Sequence, residues 1–131
     1  MRSVKESVYG RIAVEAVKIC YKENIKPDEA WDRVVLGKEK SCPRSAFLGL
    51  CEDGWIKGIS DFSYFKKRSP NKCYAVSAAR FIFEYEKDII TPSALWRIII
   101  EKFPNEAKKH NQQMSVVLAL KAYGYLKKEC R

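Results

Sequence analysis

Apolar residues recur in residues 11–23 at Ile12, Ala13, Ala16, Val17 and Cys20, with Glu15, Lys18 and Lys22 between them. Steps of three and four residues collect these apolar side chains into one stripe of an α-helix and leave the charges on the other side. Residues 74–86 repeat the arrangement, with Tyr74, Ala75, Ala78, Ala79, Ile82 and Phe83 inward, Arg80 and Glu84 outward, and Lys87 just beyond. The local wording agrees as well, AVEA at 13–16 against AVSA at 75–78.

A second matched pair follows. KPDEAWDRVV at 26–35 and TPSALWRIII at 91–100 each place a tryptophan four residues after a proline, an arginine close behind, and then aliphatics. Pro27 and Pro92 suit a first helical turn, where the missing N–H would have had no partner. Thr91 is a good N-cap for the second copy, while Asp28 and Glu29 complement the positive helix end in the first. Trp31 and Trp96 then share a face with Val34/Val35 and Ile99/Ile100, which predicts two core anchors.

A third pair closes each unit. SAFLGLCEDGWI at 45–56 aligns without a gap to SVVLALKAYGYL at 115–126, so that Ser45 meets Ser115, Leu48 meets Leu118, Leu50 meets Leu120 and Gly54 meets Gly124. A glycine there predicts a left-handed helix stop, with the next apolar residue folding back onto the helix. The pattern therefore predicts an all-α fold: a compact bundle of about six helices in one domain, made of two tandem three-helix units related by internal duplication and a pseudo-twofold axis. The units are placed at residues 9–57 and 72–128, joined by a basic connector at 58–71 whose Phe62, Tyr64 and Phe65 dock on the flanking helices.

Composition changes this picture little. At 131 residues with 47% hydrophobic content, the chain can bury a sizeable core and is too apolar to stay disordered. No run of 18 apolar residues occurs, so no membrane span is expected. The first 20 residues carry a charge every few positions, which argues against a secretory core and for the cytoplasm. Five cysteines without a CxxC pair read as free thiols rather than a disulfide framework. With His110 the single histidine, no metal and no cofactor is expected.

Charge adds more. The net charge is +9, of which residues 1–65 contribute +1 and residues 66–131 contribute +8. Such asymmetry favours a polyanionic partner, nucleic acid or an acidic protein. Lys66, Lys67, Arg68, Lys72, Lys108, Lys109, Lys127 and Lys128 are the candidate phosphate contacts. Gln112 and Gln113 are chemically suited to adenine edges, and Phe62, Tyr64 and Phe65 to stacking on unpaired bases. Against specific reading of a groove, the third helix CPRSAFLGLCED is mostly apolar and ends in Glu52 and Asp53.

Catalytic chemistry finds less support. A hydrolytic triad would have to use His110, which has no nucleophile elbow or glycine-rich oxyanion loop to work with. No phosphate-cradling glycine motif occurs. The best candidate for reactivity is Cys42: in SCPRS at 41–45, a helix starting at Pro43 would make Cys42 its N-cap, with Arg44 nearby to favour thiolate; in the structural alternative Ser41 or Cys42 simply starts the helix and Pro43 fixes its first turn.

CPRSAFLGLCEDGWIKGI and KKHNQQMSVVLALKAYGYL, with AWDRVV upstream, resemble a family of short bacterial proteins described as a domain of unknown function. The resemblance runs from about residue 9 to 127 and implies a bacterial, cytosolic origin and a compact helical domain; it brings no activity and no catalytic residues. Two functional expectations stand. The first is a non-enzymatic interaction module whose basic second half contacts an acidic partner. The alternative is a small enzyme or small-molecule binder with a site between the units, lined by Trp31, Trp96, Cys42 and His110. A homodimer is a third arrangement, because duplicated helical units often leave an apolar face free.

Overall fold

A computed structural model describes residues 7–59, 63–85, 90–104 and 109–128. Phe62, Lys87, Lys108 and Cys130 lie outside the described residues. Six helices form a bundle: α1 (Val8–Glu23), α2 (Pro27–Val34), α3 (Ser41–Glu52), α4 (Pro70–Tyr85), α5 (Pro92–Ile100) and α6 (Gln113–Ala122). Among the described residues none of these helices is long and apolar enough to cross a membrane.

Local chemistry accounts for most of the helix ends. The Ser7 hydroxyl accepts the Gly10 amide at 2.9 Å, and Thr91 Oγ1 accepts the Ala94 amide at 3.1 Å, so α1 and α5 start on side-chain caps. Pro27 and Pro92 occupy the opening positions of α2 and α5. α3 and α6 stop in the same way. Gly54 has φ 79° and Gly124 has φ 78°, a left-handed conformation that costs a residue with a Cβ. The amide after each glycine reaches back five residues, Trp55 to the Leu50 carbonyl and Tyr125 to the Leu120 carbonyl, both at 2.9 Å. This is the Schellman arrangement, which satisfies carbonyls a helix end would otherwise leave open. The two tails then meet. Ile56 and Leu126 form an antiparallel bridge, the Lys57 amide donating to Tyr125 and the Lys127 amide to Trp55, each at 2.8 Å.

The predicted apolar stripes do form the core. Ile12, Ala13, Ala16, Val17 and Cys20 of α1, and Tyr74, Ala75, Ala78, Ala79 and Ile82 of α4, are buried. Phe83 packs at the edge, stacked on Trp55 at 6.2 Å. The packing crosses between halves: α1 lies against α2 and α6, and α4 lies mainly against α3. Two glycines set these crossings. A Cβ on Gly10 would stand 2.8 Å from Ala119 Cβ, and one on Gly49 would stand 2.5 Å from Lys72 Cβ and 2.8 Å from its Cα.

The two tryptophans are not equivalent, which corrects the expectation of twin anchors. Trp31 is fully buried and stacks on Phe47 at 5.2 Å. Trp96 is only half-buried, because α5 turns Leu95 and Ile99 inward instead. The reason lies one position upstream. Small Ala30 leaves the centre to Trp31, whereas Leu95 fills the matching space and moves Trp96 to the rim.

The connector is latched by charge. The Glu52 carboxylate at the end of α3 accepts the Tyr64 amide at 2.6 Å and the Phe65 amide at 3.1 Å. It also bonds the Lys72 ammonium, which lies 2.9 Å from Asp53. Burial alone would raise the Glu52 pKa, but the Lys72 ammonium and the two amides outweigh it and hold the carboxyl below its ordinary value.

Two outcomes are expected. In Gly49→Ala the new methyl meets α4 backbone as well as side chain, so overpacking should cost about 1–3 kcal/mol in denaturant unfolding; an unchanged midpoint would mean the crossing yields freely. For Glu52 the lowered pKa means that the unfolded chain takes up the proton first as pH falls. Its stabilisation is thus complete above the ordinary value of 4.5 and is lost as pH drops through the folded pKa. Glu52→Gln should therefore be less stable near neutrality and lose less on going from about pH 5 to about pH 3. Parallel urea midpoints for the two proteins over that range would count against the latch.

Candidate functional site

Among the described residues the predicted cations fall on the connector, the start of α4, the loop before α6 and the tail after it. Lys66 and Lys67 are exposed on the connector, and the Arg68 guanidinium lies 6.0 Å over the Phe103 ring. Phe103 belongs to an aromatic cluster: it packs edge-on to Tyr74 at 5.0 Å, Tyr74 packs edge-on to Trp96 at 5.1 Å, and Trp96 faces the His110 ring at 5.4 Å. Exposed Lys109 precedes that histidine. His110 is half-buried, accepts the Met114 amide on Nε2 at 3.3 Å, and has its pKa lowered by burial. Its ring thus meets an amide in the first turn of α6.

Three of the polar candidates have structural duties instead. Lys72 is held between Glu52 and Asp53, so its charge is already met; the sequence counted it by charge alone. Gln113 is 1% exposed, donates to Asn71 at 2.9 Å and accepts the Asn111 amide at 2.5 Å. It ties the start of α6 to the start of α4 and cannot reach a base edge. Gln112 is half-buried at φ 74°, shaping the loop into α6. Among the expected stacking residues, Tyr64 and Phe65 are half-buried against the core. The Tyr64 phenol is pushed well above its ordinary pKa by that burial.

Cys42 and Arg44 do not form the predicted pair. α3 begins at Ser41 with Lys40 as its N-cap, so Cys42 lies inside the first turn rather than capping it. Arg44 forks onto Asp32, Nε to Oδ1 at 2.8 Å and Nη2 to Oδ2 at 2.9 Å, and braces α3 against α2. Hydrogen bonding to Asp32 raises the guanidinium pKa further. Beside this brace lies an open cleft of about 350 Å³, lined by Trp31, Asp32, Val35, Lys40, Ser41 and Arg44 among others. Of the lining expected between the units, it contains Trp31 and none of Cys42, Trp96 or His110. Cys20, Cys42, Cys51 and Cys73 are free thiols. Burial pushes Cys20 up to about 11 and Cys51 higher than its ordinary range, so neither is a thiolate.

A different surface brings cations and exposed rings together, where the joined tails of α3 and α6 meet the last turn of α1. Tyr21 packs edge-on to Tyr125 at 5.7 Å and its phenol donates to the Lys57 carbonyl. Tyr123 lies 6.5 Å from Tyr125 with the ring planes 20° apart. Tyr21 is 46% and Tyr123 44% exposed. Lys18 Nζ sits 5.8 Å from the Tyr123 centroid and also pairs with Glu15 at 3.5 Å. Lys57 and Lys127 occupy matching places beside the bridge, and both are exposed, as is Lys128. The antiparallel pairing of the tails is what unites these groups, since α1 and the two tails are far apart in sequence. Lys127 and Lys128 were legible from charge. Tyr21, Tyr123, Tyr125, Lys18 and Lys57 were not, although KAYGYLKK already interleaves tyrosine with lysine.

No curated protein and no solved structure matches the chain. A model of a family of unknown function, DUF6979, matches residues 6–127, and the chain belongs to that family.

Proposed function

We propose that this family member is a non-enzymatic interaction module that contacts an acidic partner, nucleic acid or protein, through the tyrosine–lysine surface at the ends of α1, α3 and α6. One observation carries the reading: Lys57, Lys127 and Lys128 are exposed on the paired tails that carry Tyr123 and meet Tyr21, rings that are themselves nearly half exposed. Cations clustered in this way attract a polyanion and gain from the counterions it releases. The +8 charge of residues 66–131 extends the attraction beyond the contact itself. Four free thiols suit a reducing compartment, and we take the cytoplasm as the place of action.

The same reading treats the chain as a duplicated three-helix unit. Two features support it: the α3 and α6 stops share their dihedral angles and hydrogen bonds, and the opening helix of each unit packs on the closing helix of the other. A second function, small-molecule binding, has the α2–α3 cleft as its favourable observation.

The experiment is a salt series with a labelled polyanion. Affinity should fall as salt rises from about 50 to about 200 mM, and replacing Lys57, Lys127 and Lys128 together by Gln should reduce the salt slope by about 2–3. Replacing Lys66 and Lys67 should change it less. Affinity indifferent to salt, or to the triple replacement, would refute the reading.

A further inference from the structure

We infer that the partner of this surface is single-stranded nucleic acid, held by stacking of unpaired bases on Tyr123 and its neighbour Tyr21. The inference rests on the polyanion reading and names its substrate class. Lysines alone would serve any acidic partner; the rings narrow the choice. Tyr21 and Tyr123 keep 46% and 44% of their surface in water, even though the fold buries larger aromatics such as Trp31 completely. Flat apolar faces beside cations match a strand whose bases are splayed and whose phosphates lie alongside. A duplex hides its base faces within the stack and would offer these rings nothing but phosphate.

The geometry favours the same partner. Tyr123 and Tyr125 lie within 20° of parallel, their centroids 6.5 Å apart, so their ring faces follow an orientation that neighbouring bases can share. Both tyrosines flank Gly124, whose φ of 78° fixes the turn that presents them. Tyr21 is anchored by its phenol on the Lys57 carbonyl and by its edge against Tyr125, so little ordering of side chains is needed on binding. Lys18 lies over Tyr123, and Lys57 and Lys127 emerge on either side of the bridge, within reach of a backbone running past the rings. Glu15 pairs with Lys18 at 3.5 Å. An acidic polypeptide could use the lysines, but its carboxylates have no face to lay on a tyrosine.

The test compares an oligothymidylate of roughly 20 nucleotides, a duplex of equal length, inorganic polyphosphate and poly-glutamate, each titrated with the full chain at one salt concentration. The oligothymidylate should bind tightest. Tyr123→Leu should weaken it by about 5- to 100-fold while leaving polyphosphate unchanged. Tyr123→Phe, which keeps the ring, should restore binding, and circular dichroism should show all three proteins equally helical. If Tyr123→Leu weakens the oligothymidylate and polyphosphate alike, or neither, stacking is refuted although polyanion binding survives. Tightest binding of poly-glutamate or duplex overturns the inference in the same way. If no polyanion binds, the underlying functional reading falls as well.

Discussion

Close contact between helices at Gly10 and Gly49 is the constraint on which the rest of this structure depends. Neither position has room for a methyl group, because the facing atoms would stand under 3 Å from it. These contacts let α1 settle on α6 and α4 on α3, so each half of the chain supplies the surface that covers the other. In the alignment that matches Ala13 with Ala75 and Gly54 with Gly124, Gly10 corresponds to Lys72 and Gly49 to Ala119. The two crossings therefore join corresponding positions, with the glycine on the opening helix at one and on the closing helix at the other. A contact too tight for two side chains has been relieved from either side.

The lysine that faces Gly49 at the second crossing has electrostatic consequences. The Lys72 stem passes over Gly49, and its ammonium emerges at the end of α3 beside Glu52 and Asp53. Two carboxylates at a helix C-terminus oppose the helix dipole; a half-buried cation there relieves that conflict. Glu52 is then free to hold the connector through the Tyr64 and Phe65 amides. Charge alone does not reveal that a lysine's aliphatic stem is packed, so this structural duty of Lys72 was not legible in the sequence.

What the sequence disclosed follows from how local each signal is. Helix periodicity, the Thr91 cap, the two prolines and the Gly54 and Gly124 stops depend on neighbours within one or two turns, and residues of those kinds state them openly. The burial of Trp31 against the half-exposure of Trp96 depends on Ala30 and Leu95 competing for the interior, which no single helix records. The sequence left the start of α3 open between Ser41, Cys42 and Pro43, because proline is tolerated throughout a first turn; the helix starts at Ser41. The tyrosine surface was hidden for a related reason. Its members come from α1, residues 55–58 and residues 123–128, and only the antiparallel meeting of two helix tails makes them neighbours.

That meeting also decides the sign of the local field. α3 and α6 both end at the bridge, and each helix end carries roughly half a negative charge, about one unit between them. Against it stand Lys57, Lys127 and Lys128, with Lys18 largely answered by Glu15. Lysines beside each helix end offset that field. Stabilising a helix end explains a lysine at each corner; it does not explain the tyrosines that share the surface with them. Because the tails hold the rings and the cations on a hydrogen-bonded frame, the surface is largely fixed before anything binds. Little of the interaction energy is then lost to ordering it.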